Sequence, residues 1–218
     1  MDRSVDRSGG LKKGVRIEYL ATGWNVAEAI VALVAGVYAG SIALVGFGLD
    51  GIIMTVPAGM LLWRFRLELQ GEKTKEEHTI TERRALFVVG VAFILLSLYI
   101  INESGSKLYY REKPEESTVG LILAILSLVA RPVFAVMKFR TSKALDGKAL
   151  RADAIMTAIS AYLSLTLFFG LGLHAWLGWW WADPVAALLM VPLIVREGWK
   201  AIEESKGNPS SGAVKTDS

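Results

Sequence analysis

Six apolar runs divide the chain, and several are about as long as the ~20 residues a helix needs to cross a bilayer. Hydrocarbon offers no water to backbone N–H and C=O groups, so segments of this kind must close their own hydrogen bonds as helices. No stretch alternates with period two, which argues against a barrel. The composition agrees: 53% of the 218 residues are hydrophobic and the mean hydropathy is +0.42. The sequence predicts an all-α polytopic membrane protein with six transmembrane helices over residues 15–203. A polar N-terminal arm, residues 1–14, and a C-terminal tail, residues 204–218, read as disordered. The first run lacks a small-residue cleavage site and reads as a retained span.

The runs are placed at about 15–39, 42–63, 85–101, 118–137, the fifth from Leu150 to about Ala175, and 184–195. Twenty Lys and Arg residues fall in the N-terminal arm, the second–third and fourth–fifth connectors and the C-terminal end. The other side has three, Lys107, Arg111 and Lys113. The positive-inside rule then puts both termini in the cytoplasm. Tyr109-Tyr110 and Trp179-Trp180-Trp181 read as interfacial aromatics. Arg131, near the end of the fourth run, can snorkel to the interface or pair with an acid, and snorkelling is the default reading.

Charge inside these runs is where function is to be sought. An ionisable side chain at membrane depth costs about 2.5–3.5 kcal/mol on insertion scales, so such residues face the bundle interior and mark ion or proton paths. Asp50 lies in SIALVGFGLDGIIM and Asp153 in LRADAIMTAISAYLS, two runs far apart in sequence. We expect them to share a cation; the plainer reading is that each fixes helix packing. Met54 stands one turn after Asp50, and Thr157 one turn after Asp153. In the first run Glu18, Asn25 and Glu28 fall near one helical face, with Glu28 the deepest acid. Asp183-Pro184 reads as the capped start of the sixth helix. His78 and His174 read as connector and interface residues.

Several classes are disfavoured. With no cysteine there are no disulfides or thiolate ligands. No GxSxG, HExxH or phosphate-binding loop occurs, so neither an enzyme nor an ATP-driven pump is expected, and no organic cofactor. Nothing points to nucleic acid.

Six spans, cytoplasmic termini and acids on the second and fifth spans resemble the cation diffusion facilitator (cation efflux) family of divalent-metal transporters. The wording GSIALVGFGLDG, ALRADAIMTAISAYLS and GWWWADPVAALLMVP carries the resemblance, which covers about residues 15–203. It implies a transported divalent cation, proton antiport, a homodimer in the lipid bilayer and a multi-pass location in the plasma or inner membrane. It also implies a tetrahedral site built from two helical ligand pairs. Asp50 matches the first ligand of one pair, with Met54 at its partner position; Asp153 matches the later ligand of the other, with Ala149 at its partner position. Two of the four positions are thus carboxylates, and the chain reads as a short member without the family's C-terminal cytoplasmic domain. Glu28, Thr157, Ser160 or water would complete a hydrated oxygen shell, with Met54 adding soft character. Two further readings stay open: a transport-inactive scaffold with a degenerate metal site, and a proton-coupled antiporter of small organic cations.

Overall fold

The computed structural model describes the backbone of residues 2–70, 76–145 and 148–206, and the side chains of 9–70, 83–145 and 150–206. Six helices follow one another: α1 Asp2–Ala39, α2 Ile42–Leu69, α3 Glu76–Tyr110, α4 Thr118–Leu145, α5 Lys148–Leu177 and α6 Ala182–Ser205. No strand occurs among the described residues. Five stretches, residues 9–39, 42–69, 83–110, 118–145 and 150–177, are long and apolar enough to cross a membrane. The sixth helix carries Arg196, Glu197, Lys200, Glu203 and Glu204 in its C-terminal half, which shortens its apolar part. Large apolar side chains such as Val34, Val37, Leu95, Leu98, Val129 and Val133 cover the outside of the bundle. In water that surface would aggregate; in hydrocarbon it is solvated.

The helices outrun the apolar segments that define them. Residues 104–110, expected in an outer loop, complete α3, and residues 138–145, expected in a connector, complete α4. Lys, Glu, Ser and Leu all tolerate the helix, and nothing breaks α3 before Arg111 takes φ 55° and Pro114 follows. The N-terminal arm, expected to be disordered, is continuous with α1. Its Leu11 is buried with Leu61, Phe65, Leu145 and Leu150, an apolar cluster that pins the arm to one end of the bundle. Of the expected disordered tail, residues 207–218 lie outside the described residues.

The opposite end is tied by its turns. Gly40 adopts φ +60°, a left-handed conformation that suits glycine, and Ser41 caps α2 by accepting from Leu44 N at 3.1 Å. Lys107 Nζ donates to Gly40 O at 2.5 Å, and Glu115 N to Ala39 O at 2.8 Å. Asp183 was expected to cap its own helix. Instead Trp181 holds the α6 N-cap without a side-chain bond, and Asp183 caps α2 from a distance. Its Oδ1 accepts from Ser41 Oγ at 2.5 Å and its Oδ2 from Ile42 N at 2.8 Å. A carboxylate satisfies donors at a positive helix end wherever it comes from, and here α6 delivers it.

Alternation between the two ends makes an up–down bundle. Helix α2 touches α1, α3, α5 and α6, while α4 lies against α1 and α5. Small residues set the closest crossings. A Cβ on Gly48 would meet the backbone of Leu33 and Ala29 at 3.0 and 3.1 Å, and Gly90 and Gly198 face each other across α3 and α6. Such approach lets dispersion hold helices together where lipid removes the hydrophobic drive. The result places α4 between the acid-bearing faces of α1, α2 and α5.

Candidate functional site

Helix α1 carries Glu18 and Glu28 on its buried side; α4 carries Arg131 and Lys138, two turns apart. The helices run antiparallel, so the four residues meet in crossed order and form two charged layers. In the inner layer Arg131 Nε and Nη2 donate to Glu28 Oε2 at 3.2 and 2.8 Å. Its Nη1 donates to Ser160 O at 3.4 Å and lies 3.7 Å from Asp50 Oδ2. The guanidinium also sits 4.3 Å above the Phe47 ring, and Ser127 donates to Glu28 Oε1. In the second layer Lys138 Nζ lies 3.0 Å from Glu18 Oε2, donates to Oε1 at 3.2 Å, and lies 2.5 Å from Asp153 Oδ2. This layer is the nearer one to the Leu11–Leu61–Phe65–Leu145–Leu150 cluster.

Both bases correct the sequence reading. Arg131 does not snorkel: it is 3% exposed, held by two acids, a carbonyl and a ring. Lys138 is not a connector residue: it is 2% exposed and lies between two acids. A base buried without partners is untenable in low dielectric, and four carboxylates without bases equally so. Each explains the other.

Between the layers lies a cavity of about 10 Å³, close to the least that holds one water. Asp50 and Met54 of α2, Arg131 and Lys138 of α4, and Asp153, Thr157 and Ser160 of α5 line it, with Asn25 of α1. Asp50, Met54, Asp153 and Thr157 therefore line one cavity. Glu28 is one step removed, behind Arg131. The Thr157 hydroxyl donates to Asp153 O at 2.9 Å, so toward the cavity it can only accept. Asp50 Oδ2 and Asp153 Oδ2 make no hydrogen bond, although each faces a cation. A metal would coordinate these oxygens only in competition with the two bases.

Among the described residues, no three His, Cys, Asp or Glu side chains gather as a metal-binding group. The acids face Arg131 and Lys138 instead. Ala149 and His78 have side chains outside the described residues. His174 lies away from the cavity, its Nδ1 3.4 Å from Trp179 O in the α5–α6 turn. Sequence reasoning put Glu18 on the polar stripe of the first run without making it a site residue, and it missed Lys138. The available signal was two stripes of opposite sign: Glu18, Asn25 and Glu28 on α1, Arg131 and Lys138 on α4, each with helical spacing.

A cadmium, cobalt and zinc/H(+)-K(+) antiporter of Bacillus velezensis is 27% identical over 94% of this chain and 65% of its own length. Transmembrane protein 163 of Xenopus laevis is 23% identical over 88% of this chain and 66% of its own. The zinc transporter ZitB of Escherichia coli is 22% identical over 84% and 59%. The chain thus spans about two thirds of the length of the first two relatives. A family described as the cation efflux transmembrane domain matches residues 19–207, which contain all six charged groups of the two layers except Glu18. An all-helical, multi-pass membrane protein with this match belongs to the cation efflux family.

Proposed function

We propose that this chain carries divalent metal cations across a membrane by secondary transport, exchanging them for protons. One observation supports it above the rest: Asp50 and Asp153, on helices far apart in sequence, line one buried cavity. The relatives' names point the same way, since they include metal antiporters and a zinc transporter. Two carboxylates attract a hard cation, with Thr157, Ser160 and water as further oxygens. Binding by so few protein ligands is weak, which suits a passenger that must leave again. When metal departs, protons can take the same oxygens, so the two ions compete for one site. Rocking of the helices about this buried cavity would expose it to each side in turn. The Lys and Arg excess orients both termini to the cytoplasm, and efflux is the direction that membership of the cation efflux family suggests. A homodimer remains the expected assembly.

A second reading has its own support. Both cavity acids already face internal cations, as in a packing core, which favours a transport-inactive scaffold. Flux into proteoliposomes separates the two. Zn, Mn, Fe, Co, Ni, Cu and a small organic cation would be offered at two internal pH values, to the parent chain and to Asp50→Asn and Asp153→Asn. The transport reading expects pH-dependent flux of at least one metal, lost in both variants. No flux of any metal sinks it in favour of the scaffold, and flux only of organic cations would establish the third reading.

A further inference from the structure

The four acids do not hold their bases alike. Arg131 is fixed by a fork of two hydrogen bonds to one carboxylate oxygen, a carbonyl contact and a ring beneath it. Its planar guanidinium is suited to such a fixed seat. Lys138 presents a single ammonium on a flexible four-carbon stem, seated between Asp153 Oδ2 at 2.5 Å and Glu18 Oε2 at 3.0 Å with no ring or carbonyl to fix it. The Asp153 side chain, 12% exposed, is the most accessible of the acids in the two layers, and its layer is nearer the bundle end.

Room is the second constraint. With Lys138 in place the cavity has space for about one water, so a metal ion and its waters compete with the ammonium for room. Charge is the third. Glu18 and Asp153 together carry two negative charges; an ammonium between them leaves one uncompensated, whereas a divalent ion in the same position leaves none.

We infer that Lys138 is the resident cation of the cargo seat: its ammonium occupies the position between Glu18 and Asp153 that a divalent metal ion takes, and the metal enters by displacing it. Glu18 is then a further cargo ligand, added to the cavity acids Asp50 and Asp153, and Arg131 stays the partner of Glu28. The seat's two carboxylates with a removable monovalent occupant favour divalent over monovalent cations. This rests on the transport reading for its cargo, and the test separates the two.

Purified full-length chain in detergent micelles is exposed to an amine-acetylating reagent, with and without Zn²⁺ or Co²⁺, and labelling of Lys138 is followed by peptide mass spectrometry. Lys143, exposed on the same helix, is the internal control. Metal binding is measured by titration calorimetry on the parent, Lys138→Met and Glu18→Gln chains. The displaced lysine should label about tenfold faster with metal present while Lys143 is unchanged. Lys138→Met should bind metal about tenfold tighter, the weight of one charge-assisted contact, and Glu18→Gln should bind more weakly. If the parent binds metal and Lys138 labelling does not change, the resident-cation inference is overturned and the transport reading stands. If the parent binds no metal but Lys138→Met does, Lys138 blocks the seat rather than yielding it, so displacement is overturned together with the transport reading. If neither binds, both fall. Should Lys138→Met not fold, labelling of the parent chain decides.

Discussion

Replacing Arg131 by methionine keeps much of the side chain's length and volume but removes its charge. Two carboxylates then lose their partner at once. Glu28, with a side chain 1% exposed, loses both guanidinium hydrogen bonds, and Asp50, 6% exposed, loses the cation 3.7 Å away. Hydrogen bonds to charged groups contribute about 1.5–3 kcal/mol each. Breaking a buried ion pair by deleting one member costs about 3–5 kcal/mol, because the other charge stays behind in low dielectric. The second figure already includes the first, so about 3–5 kcal/mol is expected for Arg131→Met. Asp50 pushes it to the upper end. Lys200–Glu204, at 3.9 Å with side chains 34% and 43% exposed, is the internal control, since a solvated pair contributes about 0–1 kcal/mol. Lys200→Met should therefore leave stability nearly unchanged. Both can be read from reversible denaturant unfolding in lipid–detergent micelles, followed by the fluorescence of the chain's seven tryptophans. Adding Glu28→Gln to Arg131→Met should recover part of the loss, as one stranded charge is removed. An Arg131→Met chain within about 1 kcal/mol of the parent, or a double variant no better than the single, would refute the idea that the inner layer is held by buried charge pairing.

Other outcomes follow from the same geometry. Asp183→Ala should lower stability by about 1–3 kcal/mol, because Ile42 N and Ser41 Oγ lose their acceptor at the start of α2; thermal unfolding in detergent reads it. Gly90→Val should separate α3 from α6, since even a Cβ there would lie 2.7 Å from Gly198 O; loss of the monodisperse folded peak in size-exclusion chromatography is the expected result, and an unchanged profile contradicts it. Met54→Asp puts a second carboxylate one turn from Asp50 in the cavity wall, and should tighten divalent-metal binding by about tenfold or more in calorimetry.

Much of this was legible without coordinates. Runs of apolar residues about 20 long leave the backbone one way to satisfy itself in hydrocarbon, so the helices and their order follow from local sequence. The cost of charge in that medium likewise singles out Asp50 and Asp153 as inward-facing, and their one-turn neighbours Met54 and Thr157 follow from helical periodicity. Partner choice did not follow. Whether Arg131 reaches water or Glu28, and whether Lys138 lies in a connector or between Glu18 and Asp153, depends on how α1 and α4 are rotated about their axes. That rotation is decided by small-residue crossings and by where α2 and α5 sit, none of which leaves a local mark. Asp183 teaches the same point: its sequence suits the cap of its own helix, yet the bundle spends it on another. A side chain's chemistry is written in its residue type, whereas the charge it meets is set by distant segments, and only the packed bundle fixes which segments those are.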